Sequence, residues 1–241
     1  MEDYRRWLKG KPVFQSGFDE FNKLFPTWID TGTDDQIAVR EGKPIGFGSK
    51  GSLEIRVENG AILDTGFDIG MLETNQGIFG IEFDLGLNNA YYYAGSDYFQ
   101  FGFEWEKSSI LPKYRGLIAF LGTGTPSLND LSYRNSTGAL VNFSSQNVRS
   151  FDNYLESRQI LYPFWNHVGM IMDTIRNVYR LFYLNGIIDK SLDTKSVAVN
   201  DTYTGSHLNA LKLTFNVAVS TGNIMRVLLD NLVVTQEGGL K

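Results

Sequence analysis

The stretch from Trp165 to Gly186, WNHVGMIMDTIRNVYRLFYLNG, constrains this chain more than any other. Two extended runs flank a polar turn centred on Thr174–Asn177. In the second run Val178, Arg180, Phe182 and Leu184 fall on one side. Tyr179, Leu181 and Tyr183 fall on the other, because successive strand side chains point to opposite faces. Both sides carry large apolar or aromatic groups, so the hairpin is covered on two faces. That predicts a β-sandwich.

The rest of the chain repeats the signal. YFQFGFEWEK (residues 98–107) places Phe99, Phe101, Phe103 and Trp105 on one face and Tyr98, Gln100, Glu104 and Glu106 on the other. GIFGIEFDLGL (77–87) reads as a further strand. Residues 52–57 and 61–64 form a hairpin about Asn59-Gly60, a type I′ turn signal. Strands are also expected over 37–39, 45–47, 115–122, 139–143, 164–173, 178–185, 210–220 and 224–235. The early aromatic run from Phe14 to Trp28 is broken by Pro26, which excludes a helix there. A single helical turn is expected at 154–159, and one helical turn or a loose arm over residues 1–11.

The 241 residues show no repeat of 20–50 residues and no low-complexity linker. The expected architecture is all-β: one antiparallel jelly-roll sandwich over residues 1–241, two packed sheets and roughly a dozen strands. The expected core is Phe83, Phe101, Phe103, Trp105, Phe120, Met170, Phe182, Leu184, Leu213, Val217, Leu229 and Val233.

Charge and composition exclude several functions. The net charge of −5 comes without a basic stripe, so no nucleic-acid partner is expected. Apolar runs are strand-sized and far short of the ~20 residues of a spanning helix, so no membrane partner is expected. The chain has no cysteine, which removes disulfides and thiolate metal sites. MEDYRRWLKGKP has no apolar core of a signal peptide, which reads as cytoplasmic. A removed leader would leave the same picture.

The order FDEFNKLFPTW, GIEFDLGL, W-x-H-V-x-x-x-x-D followed by Y-R-L-F-Y-L-N-G, and a closing RVLLDNLVVTQ resembles the concanavalin A-like lectin/glucanase superfamily, laminin-G-like relatives included. The resemblance implies a jelly roll. It leaves lectin, hydrolase, lyase and adhesion roles open, since function does not travel with a fold.

Two carboxylate pairs carry the candidate chemistry. Glu82 and Asp84, two apart on a strand, share a face, and so do Glu104 and Glu106. If the two strands are neighbours, four acids share one face, where mutual repulsion would separate their pKa values into an acid and a base. Glycosidases need such a pair, ~5–5.5 Å apart for retention and ~6.5–9.5 Å for inversion. The resemblance sets a further requirement: family 16-type glucanases carry E-x-D-x-x-E or E-x-D-x-E. Here Gly86 and Leu87 follow Asp84, so the third acid is missing. The bland alternative is a solvated, solubilising sheet face.

Tyr91, Tyr92 and Tyr93, with Tyr98 and Gln100, are the candidate ligand contacts. Tyrosine offers an apolar body and a polar tip to the C–H face and hydroxyls of a sugar. The same residues also suit packing or protein contacts. His167 is the remaining candidate, as ligand contact, base or hydrogen-bonded structural residue. His207, the other histidine, falls in a polar loop. No cofactor is expected. Asp30, Asp34 and Asp35 lack EF-hand spacing, so calcium is only a chemical possibility. The leading expectation is a lectin-like carbohydrate-binding protein, with assembly as a homo-oligomer left open. The alternatives are a glycoside-processing enzyme using the paired acids, and an assembly protein with aromatic subunit contacts.

Overall fold

The computed structural model describes residues 8–16, 28–30, 36–41, 51–58, 60, 62–69, 76–89, 97–106, 113–121, 130–145, 151–152, 165–200 and 211–240. Among them are seventeen strands and no helix. The first eight are β1 (Leu8–Ser16), β2 (Trp28–Asp30), β3 (Gln36–Glu41), β4 (Gly51–Glu58), β5 (Ile62–Ile69), β6 (Ile78–Asn89), β7 (Tyr98–Glu106) and β8 (Lys113–Leu121). There follow β9 (Asp130–Arg134), β10 (Leu140–Ser145), β11 (Phe151–Asp152), β12 (Asn166–Asp173) and β13 (Val178–Leu184). The chain closes with β14 (Ile187–Asp189), β15 (Ala198–Asn200), β16 (Leu211–Ala218) and β17 (Ile224–Leu240). Beyond the expected dozen, the additional strands include β2, β11, β14 and β15, each only two or three residues long. The arm expected over residues 1–11 yields Leu8–Lys11 to β1, which pairs with β17. The expected strand 45–47 and helical turn 154–159 lie outside the described residues.

Two sheets stack. The nine-stranded sheet runs β14-β13-β12-β6-β17-β4-β3, with β1 on β17 and β11 on β6. The eight-stranded sheet runs β10-β9-β8-β7-β16-β5-β2, with β15 on β8. Pairing is antiparallel except for β11 on β6. Alternation sends one side of each strand inward. Phe79, Ile81, Phe83 and Leu85 of β6 meet Phe99, Phe101 and Phe103 of β7, all fully buried. Phe83 meets Phe101 edge-to-face at 4.8 Å, the geometry that aromatic quadrupoles favour.

Two bulges correct the simple alternation. In β13 the register passes from Ile171↔Leu181 to Met172↔Tyr179, leaving Arg180 as the extra residue. Tyr179 therefore turns into the core, away from the outward side of Leu181 and Tyr183. In β17 the register slips between Asp230 and Val233, with Asn231 left-handed at φ 49°. Beyond that point Leu232 and Val234 face inward, so Val233, expected in the core, faces out opposite Glu82. The other expected core residues are buried in the main cluster.

Candidate functional site

The four acids do not meet. β6 and β7 belong to different sheets, and their aromatic sides pack against each other across the core. Glu82 and Asp84 therefore project from the outer face of the nine-stranded sheet. Glu104 and Glu106 project from the outer face of the eight-stranded sheet. Parity along a strand fixes that a residue faces out; it does not fix which sheet the strand joins.

The first face is built by register. Asp84 lies opposite His167 of β12 on one side and Asp230 of β17 on the other. One step along, Glu82 lies opposite Gly169, which lies opposite Tyr183. A Cβ at position 169 would fall 2.0 Å from the Tyr183 ring, so only glycine leaves that ring room to cross the strand. The ring then carries its hydroxyl to His167 Nε2 at 3.3 Å, and Tyr183 also hydrogen-bonds Glu82.

His167 is clasped at both nitrogens. Nδ1 lies 2.8 Å from Asp84 Oδ1 and Nε2 lies 2.7 Å from Glu82 Oε1. Two acceptors require two donors, and only imidazolium supplies them. Burial opposes that charge, but the hydrogen bonds to Asp84 and Glu82 outweigh it and push the His167 pKa up to about 9. Burial pushes the Tyr183 phenol up, and the Glu82 carboxylate adds to it. The bulge in β17 aims Asn231, whose amide donates to Asp84 Oδ2 at 2.8 Å. The backbone of His167 is held as well: its N–H donates to Asn185 Oδ1, and Asn185 donates to Asn166 Oδ1. Glu82 is 3% exposed, Asp84 13% and His167 23%, so the cluster opens to solvent along its Asp84–His167 edge.

The second face is a ladder of ion pairs. Glu104 Oε1 lies 2.5 Å from Arg115 Nε, and Glu104 Oε2 lies 3.7 Å from Lys212. Glu106 pairs with Lys113 at 3.0 Å. Gln100 is fully buried and accepts from Arg134 Nε at 3.1 Å. Tyr98 is half-buried at the start of the same strand. Tyr91, Tyr92, Tyr93, Asp34, Asp35 and His207 lie outside the described residues. Among the described residues no cluster of three His, Cys, Asp or Glu side chains is arranged to hold a metal.

Sequence reasoning weighed His167 without a partner, and it passed over Tyr183, Asn231 and Asp230 as site residues. A signal was available for the last two. Asp230-Asn231 is a polar pair inside RVLLDNLVVT, otherwise an apolar strand, and a polar pair there needs a reason.

No family model matches the chain, and no curated protein matches it in sequence. Solved structures do. The chain is similar to a Bacteroides ovatus mixed linkage glucan GH16 protein in complex with a G4G4G3G product: TM-score 0.53, 12% identity, 92% of this chain and 99% of that one. It is similar also to the catalytic domain of a glycoside hydrolase family 131 protein from Coprinopsis cinerea: TM-score 0.53, 11% identity, 94% of this chain and 98% of that one. At such identities the likeness shows the fold, a jelly-roll β-sandwich of the kind that the strand order resembles.

Proposed function

We propose that the protein binds carbohydrate in a lectin-like manner, at the outer face of the nine-stranded sheet around Asp84 and His167. One observation carries this reading: Asp84 is gripped by His167 and Asn231 yet remains partly open. A carboxylate fixed by two donors offers its remaining lone pairs to a pair of sugar hydroxyls without losing rotamer freedom on binding. Asn231 adds an amide beside it. The GH16 protein of the same fold is seen with a glucan product, which supports a saccharide as the class of ligand.

The enzyme reading rests on the same acids. A hydrolase needs one carboxyl to deliver a proton and space between the pair for the reacting centre. Here both acids aim at an imidazolium that fills the gap, and that cation holds the proton. Binding is the better match.

Titration calorimetry with a panel of neutral oligosaccharides, paired with a reducing-end assay, tests the assignment. Asp84→Asn should weaken saccharide binding at least tenfold in a protein that melts earlier but still in one cooperative transition, and no reducing ends should appear. Undiminished binding in Asp84→Asn removes the site from this face. Turnover by the wild type that disappears in Glu82→Gln replaces binding with hydrolysis.

A further inference from the structure

The outer face of the eight-stranded sheet contains a guanidinium, Arg134, that makes no ion pair among the described residues. Arg134 donates from Nε to Gln100 Oε1 and from its terminal nitrogen to the Gly138 carbonyl at 2.9 Å. Both acceptors are neutral, and among the described residues its remaining N–H groups donate to no protein acceptor. Arg115 reaches from the Glu104 row into the Gln100 row, where it pairs with Asp64 at 2.9 Å. Its charge lies close enough to Arg134 to disfavour the Arg134 cation, after burial, the larger cause. Asp64 pairs with Arg115 and attracts Arg134 only at longer range, too weakly to offset burial and the Arg115 charge.

Gln100 adds an independent observation. Arg134 fixes which end of the amide is oxygen, because a guanidinium only donates. The amide nitrogen must then point elsewhere, and it is buried with no partner. A buried orphan donor is costly unless something accepts from it. Arg134 and the Gln100 amide thus meet at one hydrogen bond, each with donors left over, and Arg115 lies near Arg134.

We propose that Arg134 and Gln100, with Arg115 beside them, form an oxyanion site that takes a carboxylate or sulfate group. The guanidinium fork matches two oxygens of such a group, and the Gln100 amide matches a third contact. The site lies on the opposite face of the sandwich from Asp84, so it stands or falls independently of the saccharide site there. An acidic sugar such as a uronate and a free inorganic oxyanion both carry this chemistry.

Calorimetry and thermal melting with sodium sulfate, sodium glucuronate and glucose, each balanced with sodium chloride to equal ionic strength, test it. Sulfate or glucuronate should bind and raise the melting temperature, and glucose should not do so through this site. Arg134→Gln should weaken anion binding at least tenfold. Arg134→Lys keeps the charge without the fork and guards against a folding defect; it should bind measurably but more weakly. Glucuronate binding without sulfate binding identifies an acidic sugar, and binding of both identifies a general oxyanion site. Failure of both anions to bind the wild type, or wild-type affinity in Arg134→Gln or Arg134→Lys, overturns the assignment.

Discussion

The two outer faces begin from the same sequence device and end in opposite chemistry. Glu82-x-Asp84 and Glu104-x-Glu106 each put two acids on the polar side of a strand whose other side is phenylalanine-rich. On the nine-stranded sheet the pair is bridged by one histidine, whose single charge offsets one of the two. On the eight-stranded sheet it is neutralised by Arg115, Lys113 and Lys212. The first arrangement depends on a proton. The second rests largely on a guanidinium, which keeps its charge at every working pH. An acid pair in a sequence therefore says little about chemistry until its counterion is known.

The largest expected effect tests what the faces share. Phe83 and Phe101 lock the sheets together across the core. Phe83→Ala, or Phe103→Ala from the other sheet, should cost about 3–5 kcal/mol. Both should appear in urea denaturation as one cooperative transition moved to lower midpoint. A loss under about 1 kcal/mol, or two separated transitions, would show that the faces belong to sheets that do not stabilise each other.

The next effect separates the faces. The native pKa of His167 is raised from 6.5 to about 9, so the folded state holds a proton that the unfolded chain releases. Its contribution is complete below about pH 6.5 and fades as pH rises through about 9. At about 1.4 kcal/mol per pKa unit, this amounts to roughly 3 kcal/mol. Wild-type stability should fall between pH 6.5 and 9 relative to His167→Gln, whose curve lacks that slope. Glu104→Gln, on the other face, should keep it. Parallel curves for wild type and His167→Gln across this window would reject the clasped imidazolium.

The faces also mark how far the sequence could be read. Alternation alone assigns Phe83, Phe101 and Phe103 to the core and Glu82, Asp84, Glu104 and Glu106 to the outside, because a period of two is a local property. Sheet membership is not local. Whether β6 neighbours β7 depends on which strands fill the sheet between them, and here β12 and β17 flank β6 while β8 and β16 flank β7. The bulges at Arg180 and Asn231 are likewise invisible in a hydrophobic pattern, since each adds one residue without changing composition. Those two residues decide the core position of Tyr179 and the reach of Asn231 to Asp84. His167 showed no charged partner in sequence because its two carboxylates lie more than 80 residues away.

The smallest effect concerns the joint between the faces. Tyr179 is fully buried, yet its hydroxyl accepts from Leu117 N–H at 2.8 Å and lies within donating distance of the carbonyls of Leu117 at 3.0 Å and Arg134 at 2.9 Å. Along that edge of β8, pairing with β9 begins at Ile118 and pairing with β15 ends at Arg115. The phenol completes the edge at Leu117, a place that no strand reaches. Tyr179 thus ties β13, which carries Tyr183 on one face, to the backbone of Arg134 on the other. Tyr179→Phe keeps the ring and strands a buried N–H and carbonyl, so it should cost about 2 kcal/mol. If the hydroxyl is a true joint, the Leu117 amide should also lose protection from hydrogen exchange in Tyr179→Phe, more than amides of β4 do. Equal protection in the two proteins would mean that water replaces the phenol at no cost and that the two faces are coupled through the apolar core alone.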